Sequence, residues 1–94
     1  MNFVLMPQAL ADLVSIREYI ERDSRPAAKK VAAQIRAAVH RLAEHPQLGR
    51  AGRAELTREF VIAGTPSILP YWVRDGKLEI LAVIHGAREW PEEF

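Results

Sequence analysis

The sequence predicts an α+β domain in which a helical hairpin packs on a small, mostly antiparallel sheet, in the order β-α-α-β-β-β. Three observations predict it. Apolar residues recur at helical spacing between Pro7 and Glu44, broken only at Asp23-Ser24-Arg25-Pro26. Beyond Thr57 that spacing gives way to short apolar runs separated by Gly64-Thr65-Pro66 and Asp75-Gly76. The chain has 94 residues, 49% of them hydrophobic, which supports one small core and a single domain over 1–94.

Phe3-Val4-Leu5-Met6 reads as a first strand stopped by Pro7, which suits the first turn of a helix. In that helix Leu10, Leu13, Val14, Ile16 and Ile20 form the apolar side. Asp12, Ser15, Glu18 and Glu21 are assigned to the solvated side. Ser24 caps a second helix, with Pro26 in its first turn, that runs to about Glu44. Ala28, Val31, Ala32, Ile35, Ala38, Val39 and Leu42 make its apolar arc, opposite a stripe of Lys29, Ala33, Arg36, Ala37 and His40. So short a link makes the two helices an antiparallel hairpin.

Residues 45–53 carry Pro and Gly without periodicity and read as a loop. Strands follow over 58–63 and 67–73, and Asp75-Gly76 between apolar runs signals a hairpin. Ile80-Leu81-Ala82-Val83-Ile84 lacks alternation and is expected to be a central strand covered on both faces.

Composition excludes several classes. Without Cys there is no disulfide scaffold, thiolate zinc site or cysteine nucleophile. His40, His45 and His85 lack metal-ligand spacing, and no cofactor-binding or Walker motif occurs, so neither metal nor cofactor is expected. Pairing Asp12 with Glu18 or Glu21 for acid–base work is set aside, because acids on a helix face are mostly solvation. No apolar run reaches membrane-spanning length, and the opening residues lack a signal-peptide pattern. A cytoplasmic protein is expected.

The net charge of +1 conceals an uneven distribution. Residues 22–58 carry nine bases against three acids, between acidic flanks. Ten Arg against three Lys is a skewed ratio, and guanidinium suits planar contact with phosphate or carboxylate. Arg50, Arg53 and Arg58 lie in or just after the loop, where side chains reach a partner without disturbing a core. A GC-rich coding bias with ordinary surface solubility accounts for the same excess. His85 and Arg88 follow the last strand, at an edge where ligands approach. The alternative has His85 satisfying a backbone partner, Gly86 permitting a bend and Trp90 closing the core.

Several segments together resemble the RelE/ParE superfamily of bacterial toxins. They are Ala9-x-x-Asp12-Leu13-x-x-Ile16-x-x-Tyr19-Ile20, Pro26-x-Ala28-Lys29, Leu42-x-x-His45-Pro46-x-x-Gly49-Arg50 and Thr57-Arg58-Glu59-Phe60-Val61-Ile62. Thr65-Pro66-x-Ile68-x-Pro70-Tyr71-x-Val73 and Glu79-Ile80-Leu81-x-Val83-x-His85-Gly86-Ala87-Arg88-x-Trp90-Pro91 complete the set. The resemblance covers nearly the whole chain in order, so it is specific as a set although each piece is weak.

It implies the toxin of a type II toxin–antitoxin pair, such as those associated with plasmid stabilisation. Such a toxin is held inactive by an antitoxin whose extended or helical tail wraps it and whose DNA-binding part brings the complex to operator DNA. RelE-like members cleave mRNA on the ribosome, and Arg88 is similar to the arginine they carry after the last strand. Their third-strand arginine falls near Ile68, their C-terminal tyrosine near Phe94, and their second-strand basic pair near Glu59 and Val61. Trp72 and Ser67 stand where relatives often have Arg and an aromatic. Those two bear on the sheet surface that meets a partner, whereas the missing nuclease residues lean the chain toward the ParE-like members, which inhibit DNA gyrase. The alternative is an mRNA interferase using His85 with Arg50, Arg58 and Arg88. Under either reading Lys29, Arg36, Arg50, Arg53, Arg58 and Arg88 are expected to meet the partner or target.

Overall fold

A computed structural model describes residues 1–86. Within them the order is β1 (Phe3–Leu5), α1 (Pro7–Glu21), α2 (Arg25–Glu44), β2 (Arg50–Ala51), β3 (Arg58–Ile62), β4 (Ser67–Arg74), β5 (Lys77–Ile80) and β6 (Ile84–His85). The strands form one mixed sheet in the order β1-β5-β4-β3-β2, with β6 also paired to β4. Every pairing is antiparallel except β1 with β5. The α+β class and the helical hairpin are as expected.

Pro7 opens α1, and the Ser24 hydroxyl caps α2 by accepting the Ala27 amide at 3.2 Å. Ile35, Val39 and Leu42 of α2 pack with Ile16 of α1 over Leu69, Tyr71, Leu78 and Ile80 of the sheet. Fully burying each such aliphatic side chain contributes about 1.5–3 kcal/mol. Asp75 and Gly76 both take positive φ, 53° and 72°, so Arg74 and Lys77 pair across the two-residue hairpin the sequence signals. No helix among the described residues is long and apolar enough to cross a membrane.

Four expectations are corrected. Asp12 is not on the solvated side of α1: it is 8% exposed, and its carboxylate accepts the Val83 amide at 2.9 Å. Conversely Leu10 and Val14, assigned to the apolar side, are 52% and 46% exposed, because α1 buries Ala9, Asp12 and Ile16 instead. The loop over 45–53 contains β2, whose Arg50 and Ala51 pair with Glu59 and Arg58.

The run Ile80–Ile84 is not one strand. The central strand is β4, and β5 and β6 occupy the same edge of it in succession. Tyr71 pairs with Ile80 and Ile68 with Ile84, so three steps on β4 face four on the other side. The extra residue makes a bulge. Pro70 explains it. Its carbonyl accepts the Leu81 amide at 2.9 Å, and a residue's N–H points to the same neighbour as its C=O. The donor that proline lacks would have faced this segment.

Candidate functional site

The loop before β3 is held by the strands beside it. The Tyr71 hydroxyl donates to the Pro46 carbonyl and accepts the Gly49 amide, both at 2.7 Å. Gly49 lies against that ring, and a Cβ there would fall 2.5 Å from the phenolic oxygen, so glycine is required. Burial raises the Tyr71 pKa above its ordinary value of 10.0, with the Gly49 amide and the Arg58 charge acting the other way. The Arg58 guanidinium donates to the Gly49 carbonyl at 2.7 Å and to the Gln47 carbonyl at 3.4 Å.

Glu59 organises the next turn. It is 4% exposed, accepts the Arg53 amide at 2.8 Å and pairs with the Arg50 guanidinium at 3.4 Å. Thr57 closes the turn, accepting the Gly52 amide on its carbonyl and donating its hydroxyl to the Ala54 carbonyl at 2.6 Å. Arg50 and Glu59 thus share one face of the β2–β3 pair, while Arg58, next along β3, reaches back to the loop from the face it shares with Tyr71.

His85 is elsewhere. Its Nδ1 lies 2.6 Å from the hydroxyl of fully buried Ser67, and the Gly86 amide donates to the Pro66 carbonyl. Ser15, Ile16 and Tyr19 of α1 and Arg22 just after it form a groove with His85. His85 pairs with Ser67 and Arg58 with Tyr71, four residues along β4, so the two are separated by about 13 Å along the strand alone. Lys29 and Arg36 are exposed on α2, and Arg36 borders an apolar groove lined by Phe3, Leu13, Val14 and Arg17. Arg88 lies outside the described residues, as do Trp90 and Phe94.

The arrangement therefore places Arg50, Arg53 and Arg58 in β2, the turn after it and the start of β3, and leaves Lys29 and Arg36 on α2. Sequence reasoning gave no role to Tyr71 and Glu59. An acid among arginines was their one visible signal, since Glu59 follows Arg58 in an otherwise apolar strand. On the outer sheet face Trp72 donates to Glu79 at 2.6 Å, and Arg74 both pairs with Glu79 and stacks 4.8 Å over the Trp72 ring.

Comparison with known proteins follows the same outline. Residues 3–90 match the family model described as ParE toxin of type II toxin–antitoxin system, parDE. The chain is 48% identical over 86 residues to Putative toxin Y4kP of Sinorhizobium fredii, covering 90% of this chain and 88% of that protein. It is 42% identical over 81 residues to Toxin RelE2 of Caulobacter vibrioides, covering 86% and 90%. A solved structure of the chromosomal ParDE system from P. aeruginosa shares the fold at a TM-score of 0.80 and 23% identity, over 90% of this chain and 95% of that one.

Proposed function

Because the chain belongs to the ParE toxin family of type II toxin–antitoxin systems, we propose that it arrests growth by binding DNA gyrase rather than by cutting RNA. One observation carries this reading. RNA cleavage needs groups that activate a 2′-hydroxyl and protonate the leaving oxygen at a common point. Arg58 is instead bonded to loop carbonyls, Arg50 to Glu59, and His85 to Ser67 at the other end of β4. A braced cationic loop suits a partner surface better than a reaction centre.

A cognate antitoxin is the second partner. The apolar groove between the helices, with Arg17 and Arg36 beside it, suits an acidic amphipathic tail that orders on binding. Through that antitoxin the complex reaches operator DNA in the cytoplasm. The test is purified toxin added to gyrase. Loss of supercoiling or accumulation of cleaved DNA is expected. Unaffected gyrase at growth-arresting concentrations overturns the proposal, as do codon-positioned mRNA cuts on ribosomes that vanish with His85→Ala.

A further inference from the structure

Leu56 combines two unfavourable features. Its φ is 66°, in the left-handed region that side chains other than Gly, Asn and Asp rarely adopt, and it is 86% exposed. Single exposed leucines are ordinary. A leucine that is also backbone-strained is not, because no burial offsets the strain and Asn or Gly would fit with less cost.

The turn that presents it is tied on both sides. Gly52 N–H bonds the Thr57 carbonyl, Thr57 bonds the Ala54 carbonyl twice, and buried Glu59 holds the Arg53 amide. Arg53 and Glu55 share the turn with Leu56, and Arg50 and Arg58 stand on the strands that lead into and out of it, on opposite faces. Arg58 donates to the neutral carbonyls of Gln47 and Gly49. Partly exposed Leu48 lies between the two residues whose carbonyls Arg58 holds.

We propose that Leu56 is the anchor by which this toxin engages its target, entering a preformed apolar pocket with acidic groups at its rim on a folded protein. The proposal rests on the reading that the toxin acts by binding a protein. An aliphatic knob fits a protein pocket. RNA and other single strands are instead gripped by stacking aromatics and phosphate contacts, which a leucine does not supply. A protruding side chain also needs a concave receptor. An antitoxin tail that orders only on the toxin surface brings no preformed pocket. Rigid presentation limits the ordering cost of docking, as for residues that dominate interfaces.

The experiment compares Leu56→Asn, Leu56→Gly and Leu56→Met with wild type for melting temperature, antitoxin affinity and growth arrest at equal soluble expression. The Asn and Gly variants are expected to melt at or above wild type, bind antitoxin within about twofold, and lose growth arrest by about tenfold or more. Leu56→Met is expected to retain most of the arrest. Undiminished arrest by the Asn and Gly variants overturns the proposal. So does a parallel loss of antitoxin affinity, or arrest traced to mRNA cleavage on ribosomes. Gyrase supercoiling by wild type is read separately. If gyrase is untouched while Leu56 still governs arrest, the gyrase reading falls and the anchor stands. If gyrase is inhibited equally by all four chains, the anchor falls.

Discussion

The Asp12 carboxylate accepts the Val83 amide at 2.9 Å, joining α1 to the sheet across 71 residues of sequence. Leu81 still donates to the Pro70 carbonyl, but the bulge after it takes Ala82 and Val83 out of the ladder, and the Val83 amide needs another acceptor. Asp12 provides it from the helix above, while Gln8 donates to the second carboxylate oxygen at 2.8 Å. A bulge in the sheet thus accounts for a buried acid on the helix. The link also fixes the start of β6 and hence the place of His85.

Asp12→Ala leaves the buried Val83 amide without an acceptor, and losing such a partner costs about 1–3 kcal/mol. Asp12→Asn keeps one oxygen for that amide and is expected to cost less. Urea midpoints and amide exchange at Val83 measure both. Equal stability of the Ala variant and wild type would remove Asp12 from this role.

The hairpin, the cap of α2 and its buried arc were legible because each is encoded locally, by Asp75-Gly76, Ser24 or a helical repeat. Asp12 was not, since its partner lies across the fold and a buried acid has the same spacing as a solvated one. The break after Ile80 was hidden for a similar reason: the five apolar residues describe burial, whereas the cause of the bulge is Pro70 on the adjacent strand. At the loop, the arginines were visible as composition. Their bracing by Tyr71 and Glu59 depends on strand register, which charge counting does not contain.

Tyr71 gives the fold an alkaline limit. Burial holds its pKa above 10.0, so between that value and the folded one the unfolded chain has released the proton while the folded chain keeps it. Unfolding then releases a proton, and stability falls as pH rises through this window, while below it the contribution is complete. Tyr71→Phe lacks this limb and is expected to be less stable at neutral pH, because the buried Gly49 amide loses its acceptor. Urea midpoints from about pH 8 to about pH 11 test it. Identical pH profiles for the two chains would count against the assignment.

Glu59 separates a backbone tie from an ion pair. Its partner Arg50 is 61% exposed at the side chain, so the charge pairing is worth at most about 1 kcal/mol. Glu59→Gln still accepts the Arg53 amide and is expected to stay within that margin of wild type. Glu59→Ala removes the acceptor and is expected to cost about 1–3 kcal/mol, with faster amide exchange at Arg53. If both variants lose the same stability, the ion pair rather than the amide bond holds the turn.

Arg58 and Tyr71 pin one loop from neighbouring strands, meeting at the amide and carbonyl of Gly49. Groups that share a bonded partner do not act independently. Once Tyr71→Phe has loosened the loop, Arg58 has less ordered structure left to hold, so adding Arg58→Gln is expected to cost less than it does alone. A coupling of about 0.5–3 kcal/mol between the two is predicted from a double-mutant cycle in urea. Arg58→Lys keeps the charge without the planar fork, and is expected to weaken the loop while leaving the surface potential intact. Strict additivity in the cycle would mean that Arg58 does not share the loop with Tyr71, and its guanidinium would then be free to serve the target alone.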